Sequence, residues 1–341
     1  MQRKLTKGKL LDEKGQLIET GYAFSLVKDY FRHDIKAGSS RIKEWDYYYF
    51  GDDKYGVALT IADNSYMALI SASVLDFKEK KEWTKSYMKW FTNGSLCLPN
   101  TSENGDLIVK DEGKFDFKFL NDNGERHLIC SLKDLAPHTD FFVDVTLKRR
   151  NDQSMVIVTP FKKKKKHFYY NQKINLLEAK GEFNFGPISH KFEKDVYGVL
   201  DWGRGVWTYS NTWYWASMNG NYKGHLYGLN LGYGFGDNKS ATENMFFFDN
   251  KAYKLDDVTF NIPIEKKKEQ YLKEWTFTSK SKDIDLKFSP LIDRYSNTNA
   301  LIIQSKQHQV FGKFSGTIKV GKTIYKFENL MGFAEKVKNR W

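Results

Sequence analysis

An all-β fold is what the sequence predicts, and three observations carry that expectation. Aromatic residues make up 16% of the chain, and they recur with Val and Ile in short runs that suit a pleated surface better than a helix. The runs are separated by Gly, Asn and Asp, the residues that build tight turns. Proline, present 6 times, is too scarce to interrupt them. At 341 residues the chain exceeds what one core usually organises, so two domains of roughly 150 to 200 residues are expected.

Taken in order, Trp45 to Phe50 ends at Gly51, Asp52 and Asp53; Gly56 to Ala62 ends at Asp63 and Asn64; Tyr66 to Phe77 follows, with the spacing of a meander. Trp83 to Phe91, Asp106 to Lys110, Lys114 to Leu120, His127 to Leu132, Phe141 to Lys148 and Met155 to Pro160 continue the series. The run Lys162 to Lys166 then breaks the rhythm. Like charges repel and stay solvated, so this tract reads as a linker or loop and divides the chain into domains 1–165 and 166–341. Beyond it come Phe168 to Leu176, Gly181 to Phe185, Val196 to Leu200, Thr212 to Met218, Gly224 to Phe235, Asn244 to Phe248, Ala252 to Ile262, Trp275 to Ser279, Ile284 to Pro290, Ala300 to Lys306, Val310 to Lys319 and Thr323 to Phe333. Ile264 to Lys273 reads as a short helix. Each half thus offers eight or so strands, enough for an antiparallel barrel or sandwich.

The formal charge of +12 permits attraction to nucleic acid, anionic lipid or acidic ligands without requiring any of them. The lysine run lacks the interleaved arginines and aromatics of a nucleic-acid reader, so no nucleic-acid partner is expected. Cys97 and Cys130 have neither disulfide nor metal spacing, which predicts reduced thiols and no metal site. The first sixteen residues lack an apolar leader segment and no window approaches ~18 apolar residues, so the expectation is a cytoplasmic protein without a membrane span.

Function points to residues 201–217, where four tryptophans and two tyrosines surround Asp201 and Arg204. That density exceeds what closing a core requires, and suggests an aromatic pocket with a polar point inside. Next to it, Thr212 to Met218 and Gly224 to Phe235 flank Asn219, Gly220 and Asn221, which predicts a hairpin turning there. Trp213, Trp215 and Ser217 share one face of its first arm. On the second, Gly228, Asn230, Gly232 and Gly234 share a nearly bare face, which a large group, protein or ligand, must approach closely.

These residues resemble a family. Phe168, Tyr169 and Tyr170 with Lys173, Gly181, the run Gly198 to Trp207, Trp213 to Ser217, Gly228 to Gly232, Thr242 to Asn244, and Gly332 to Glu335 with Arg340 and Trp341 are similar to the bacterial lipocalin-like domain of unknown function 2804. Gly21 and Trp45 to Tyr48 extend the similarity through the first half. More remotely, residues 201–217 resemble the carotenoid 1,2-hydratase (hydroxyneurosporene synthase) and AttH-like group, and beyond it the fungal lipocalin-like Diels–Alderases. The resemblance implies two lipocalin-like, calycin-type β-barrels in tandem and cofactor-free chemistry on hydrophobic, isoprenoid-like molecules.

The chemistry these residues could support is acid catalysis. A neutral Asp201 in an apolar surround would donate a proton, and the faces of Trp207, Tyr209, Trp213 and Trp215 would stabilise the resulting cation. Arg204 competes with that reading, because a guanidinium beside Asp201 would keep it ionised; glycines 203 and 205 would permit the bulge that joins the two. Glu243 is the second candidate acid and His190 a candidate base or proton shuttle. Ser217, Asn230, Asn244 and Arg204 complete the expected ligand contacts. The same constellation fits a carrier or sensor without turnover, or a carbohydrate-active protein using Asp201 and Glu243.

Overall fold

The computed structural model describes residues 2–150, 152–162, 164–300 and 303–340; Lys163 of the lysine run, Leu301 and Ile302 of the run at 300–306, and Trp341 lie outside them. The fold is all-β, as expected, and built from two large antiparallel sheets. The first runs in the order Lys81–Trp90, Met67–Asp76, Tyr55–Asp63, Ile42–Gly51, Tyr197–Val206, Lys164–Phe185, Thr139–Arg149, Glu125–Ala136, Phe115–Asp122, Leu107–Asp111. The second runs Lys251–Lys254, Met245–Phe248, His225–Tyr233, Ser210–Tyr222, Thr323–Arg340, Ile303–Val320, Ile284–Ala300, Trp275–Thr278, Thr259–Asn261. Each sheet curls around its own apolar core. Phe50, Ile70, Phe117, Val143 and Trp202 fill the first, where Tyr87 of one edge strand reaches Phe115 near the other. Leu229, Phe246, Trp275, Phe288 and Phe314 fill the second.

The lysine run does not separate the sheets. Phe161 pairs with Lys164, and Lys164 to Lys166 begin a strand of 22 residues that lies inside the first sheet. By sheet membership the chain crosses over between Val206 and Ser210. The helix expected over 264–273 is not formed: Ile264–Glu265 pairs with Lys268–Glu269, and Lys266 and Lys267 turn the chain at φ 48° and 64°. Helix-compatible side chains there have no apolar stripe to bury, so the local hairpin prevails. The hairpin of 210–233 exists, but Asn219, Gly220 and Asn221 are strand residues. Tyr222 pairs with His225, so Lys223 and Gly224, at φ 54° and 83°, form the turn. Asn221 Oδ1 accepts the Gly224 N–H at 3.0 Å and caps it. Among the described residues no helix is long and apolar enough to cross a membrane.

The strand Tyr197–Val206 positions the site. It is buried along its whole length, between Ile42–Gly51 on one side and Lys164–Phe185 on the other. Alternation sends Trp202 and Val206 into the first core and leaves Val199, Asp201, Gly203 and Gly205 on the face turned towards the second sheet. There Tyr47, Tyr49 and Val199 pack against Trp215, Phe311 and Phe333, with Tyr49 and Phe311 rings 5.1 Å apart.

Candidate functional site

Between the sheets lies a cavity of about 300 Å³. Its walls are aromatic: Trp45, Tyr47 and Tyr169 from the first sheet, Trp213 and Trp215 from the second, Trp207 from the crossover and Phe235 beyond its hairpin. The walls hold each other by ring contacts. Trp45 stacks on Tyr169 with planes 10° apart and meets Trp207 edge-on at 5.1 Å; Phe235 lies 4.7 Å from both Tyr169 and Trp207. Such rings prefer these offset and edge-on arrangements, which fix a wall rather than merely fill space.

Gly203 is the seat of that wall. A Cβ there would stand 1.9 Å from Trp45 Cζ2, so only glycine lets the indole lie flat against the strand. Gly232 does the same for an acid, since a Cβ there would sit 2.6 Å from Glu243 Cδ. Gly228 instead receives Leu176, whose Cγ would be 3.0 Å away. The bare face of the second arm is therefore approached by protein side chains, one of them a carboxylate.

Six charged side chains line the cavity: Lys173, Asp201, Glu243 and Glu335, together with Glu82 and Arg294. Asp201 and Lys173 are register partners on adjacent strands, with Lys173 Nζ 2.6 Å from Asp201 Oδ2. Asn171 Nδ2 donates to Asp201 Oδ1 at 2.6 Å. The ammonium also lies 3.8 Å over the Trp215 ring. Glu335 is register-paired with Trp215; it accepts the Trp213 indole N–H at 2.8 Å and the Gln309 amide at 3.0 Å. Burial raises its carboxyl to about 7, against the opposing pull of Trp213 and Lys173. Glu243 is also buried, and burial, aided by the Asp201 charge, raises it to about 7 despite Lys173 and Lys254. Two acids that exchange protons near neutrality thus border one ion pair in an aromatic chamber.

Of the residues expected at the site, Asp201, Glu243, Trp207, Trp213 and Trp215 line the cavity together. Arg204 does not join them. It points to the other side of the strand, where Nη1 lies 3.0 Å from Asp46 Oδ1 and also donates to Trp45 O, and Nη2 donates to Pro99 O. No bulge brings it round to Asp201, whose cation is Lys173. His190 lies outside the lining, on the strand Ile188–Phe192, with its Nε2 2.6 Å from Asp52 Oδ2. Tyr209 is outside as well, half exposed, with the Arg41 guanidinium 5.8 Å from its ring. Ser217, Asn230 and Asn244 are buried behind the walls. Ser217 accepts from Asn175, and Asn244 Oδ1 accepts the Gly232 N–H. Asn230 accepts the Trp215 indole N–H at 2.8 Å and donates to Glu243 O at 2.7 Å, so it orients the wall and the acid's segment.

Lys173 and Glu335, like Glu82 and Arg294, line the cavity without having been singled out as functional by residue-level reading. Glu335 carried a signal, as a lone charge at period two between Phe333 and Val337 on one strand face, whereas Lys173 has Asn171 and Asn175 at period two and carried none.

No curated protein matches the chain. Two solved structures share the fold: an AttH-like protein from Nitrosomonas europaea (11% identity, TM-score 0.54, covering 92% of this chain and 96% of that one) and kievitone hydratase from Nectria haematococca (11% identity, TM-score 0.50, covering 93% and 96%). At residues 2–341 the sequence matches the model of domain of unknown function DUF2804, and the chain belongs to that family.

Proposed function

We propose that the cavity takes up an apolar small molecule and that Glu243 is the general acid of a cofactor-independent hydration, isomerisation or cyclisation. One observation carries the proposal: a buried carboxyl raised to about 7 faces an aromatic chamber beside a separate, fixed ion pair. Glu243 takes the role that sequence alone suggested for Asp201. Asp201 is engaged by Lys173 and Asn171, whereas Glu243 can give up a proton and recover it near neutrality.

In a hydration, the Glu243 proton forms a new C–H bond at one alkene carbon, leaving a cation at the other. The indole faces of Trp207, Trp213 and Trp215 stabilise that cation, at about 0.5 to 2 kcal/mol each. Water adds to it, and the proton it sheds returns to Glu243. Loss of a proton instead of water capture gives isomerisation. A hydratase of the same fold, kievitone hydratase, is in keeping with this reading and assigns no residue.

Native mass spectrometry of protein purified from its own host identifies the co-purifying compound, which then serves as the assay ligand. Glu243→Gln is expected to keep affinity for it within a few-fold while lowering turnover by about 10² or more. Equal loss of both, or equal retention of both, sinks the catalytic assignment and leaves a carrier.

A further inference from the structure

The cavity wall continues outwards as an apolar row that the chemistry above does not use. On the edge strand Lys81–Trp90, Glu82, Thr84 and Ser86 line the cavity, and period two puts Met88 and Trp90 on the same face. Across the ladder Ser86 pairs with Ser71, Met88 with Leu69 and Trp90 with Met67; Ser71 and Leu69 line the cavity too. The row runs from the cavity through Leu69 and Met88 to Met67 and Trp90, and ends at Phe91. Met88, Trp90 and Phe91 are 54%, 57% and 78% exposed. Isolated apolar residues on a surface require no explanation, but a contiguous row leading out of a cavity does.

The row ends among cations. The Phe91 N–H donates to Tyr66 O at 2.7 Å, and the Lys43 ammonium lies 4.2 Å over the Tyr66 ring. Burial and then the nearby Arg41 charge lower Lys43 to about 7. Burial, with Lys164 and Arg41 close by, lowers His167 as well. Lys166 Nζ donates to Lys36 O at 3.3 Å. Lys36, Lys164, Lys165 and Lys166 are all exposed. This end adjoins the cavity directly: Lys43 Nζ donates to Asn64 O, the Trp207 N–H donates to Arg41 O, and Asn64 and Trp207 are cavity-lining residues.

We propose that this end of the molecule docks on an anionic lipid bilayer, with Trp90 and Phe91 entering the headgroup region, Lys36, Lys164, Lys165, Lys166 and Arg41 meeting lipid phosphates, and the Leu69–Met88 row passing an apolar ligand between bilayer and cavity. Aromatic side chains settle at the membrane interface, and clustered cations hold a protein on anionic lipid. A nucleic-acid strand would be drawn to the same cations. The methionines and leucine between Phe91 and the cavity, however, present no flat face on which bases could stack, and they lead to an apolar chamber.

Sedimentation of the full chain with large unilamellar vesicles tests this without reference to turnover, so its outcome is separate from that of the Glu243 assignment. The chain is expected to bind vesicles of mixed phosphatidylcholine and phosphatidylglycerol, to bind pure phosphatidylcholine roughly tenfold or more weakly, and to be released by salt. The pair Trp90→Ser with Phe91→Ser, and separately the pair Lys164→Glu with Lys166→Glu, should each weaken binding by roughly tenfold with unchanged thermal unfolding, because all four side chains are exposed. Absence of binding to the mixed vesicles overturns the proposal. So does binding that both pairs leave intact, or binding of a single-stranded polynucleotide that outcompetes the vesicles and ignores the Trp90 and Phe91 changes.

Discussion

Two buried ion pairs lie within the same three strands, and they serve opposite ends. Arg204 and Asp46 sit on the first-core side. Arg204 Nη1 donates to Asp46, Gly203 O and Trp45 O and Nη2 to Pro99 O, and its guanidinium lies 4.3 Å over the Trp202 ring. Lys173 and Asp201 sit on the cavity side, with the ammonium against Trp215 and two further buried carboxyls, Glu243 and Glu335, in the same chamber. The first pair closes a structure; the second keeps charge available in a space that something else must fill. A motif rich in Asp, Trp, Gly and Arg therefore splits between the two tasks according to which way each residue points.

The largest expected effect comes from breaking the sealed pair. Arg204→Met leaves Asp46 buried without its cation and takes a donor from three carbonyls, and should cost about 3 to 5 kcal/mol in denaturant unfolding. Lys173→Met should cost less, about 1 to 3 kcal/mol, because Asp201 keeps Asn171 and borders a cavity that can admit water. Equal costs, or the reverse order, would break the distinction between a sealed and an open pair.

Next in size is a pH effect confined to the cavity side. Glu243 and Glu335 have ordinary values of 4.5 and are raised to about 7 in the fold. Between those values the unfolded chain has already released protons that the folded chain retains, so stability from these groups falls as pH rises from 4.5 to about 7 and then levels off. Glu243→Gln removes one such penalty. The variant should gain on the native protein across that window, by up to ~3 kcal/mol at pH 8, in thermal or denaturant unfolding. A difference independent of pH would show that the Glu243 carboxyl is hydrated and ordinary.

The contrast also explains what the sequence could and could not disclose. Strands were legible because period-two patterning and turn residues are local, and the aromatic cavity was legible because four of its walls and acids fall within residues 201–217. Arg204 shows the limit. Alternation alone places it opposite Asp201, and the bulge that would have joined them was inferred from Gly203 and Gly205. Gly203 is needed instead as the bed of Trp45, a residue far away in the chain. Lys173 and Glu335 enter the site through strand register, with Lys173 opposite Asp201 and Glu335 opposite Trp215. Nothing within either segment states which strand will lie beside it. Likewise Lys223 and Gly224 turn the hairpin although Asn219 and Gly220 carry the stronger local signal, because the ladder from Tyr214 to Tyr222 stays in register past them.

The smallest expected effect sharpens the comparison from behind the wall. Asn230 touches neither ion pair, yet it links the Trp215 indole to the backbone of Glu243. If the cavity side is held as firmly as the core side, Asn230→Ala should cost about 1 to 2 kcal/mol, the penalty for a buried N–H and carbonyl left without partners. It should also shift tryptophan emission as Trp215 loses its acceptor, and move the titration attributed to Glu243 as the acid's segment loosens over Gly232. A loss of stability with both readouts unchanged would make Asn230 an ordinary core residue. Movement of the titration would make it a positioning residue for the acid, and would extend the cavity's supporting structure one strand beyond the side chains that line it.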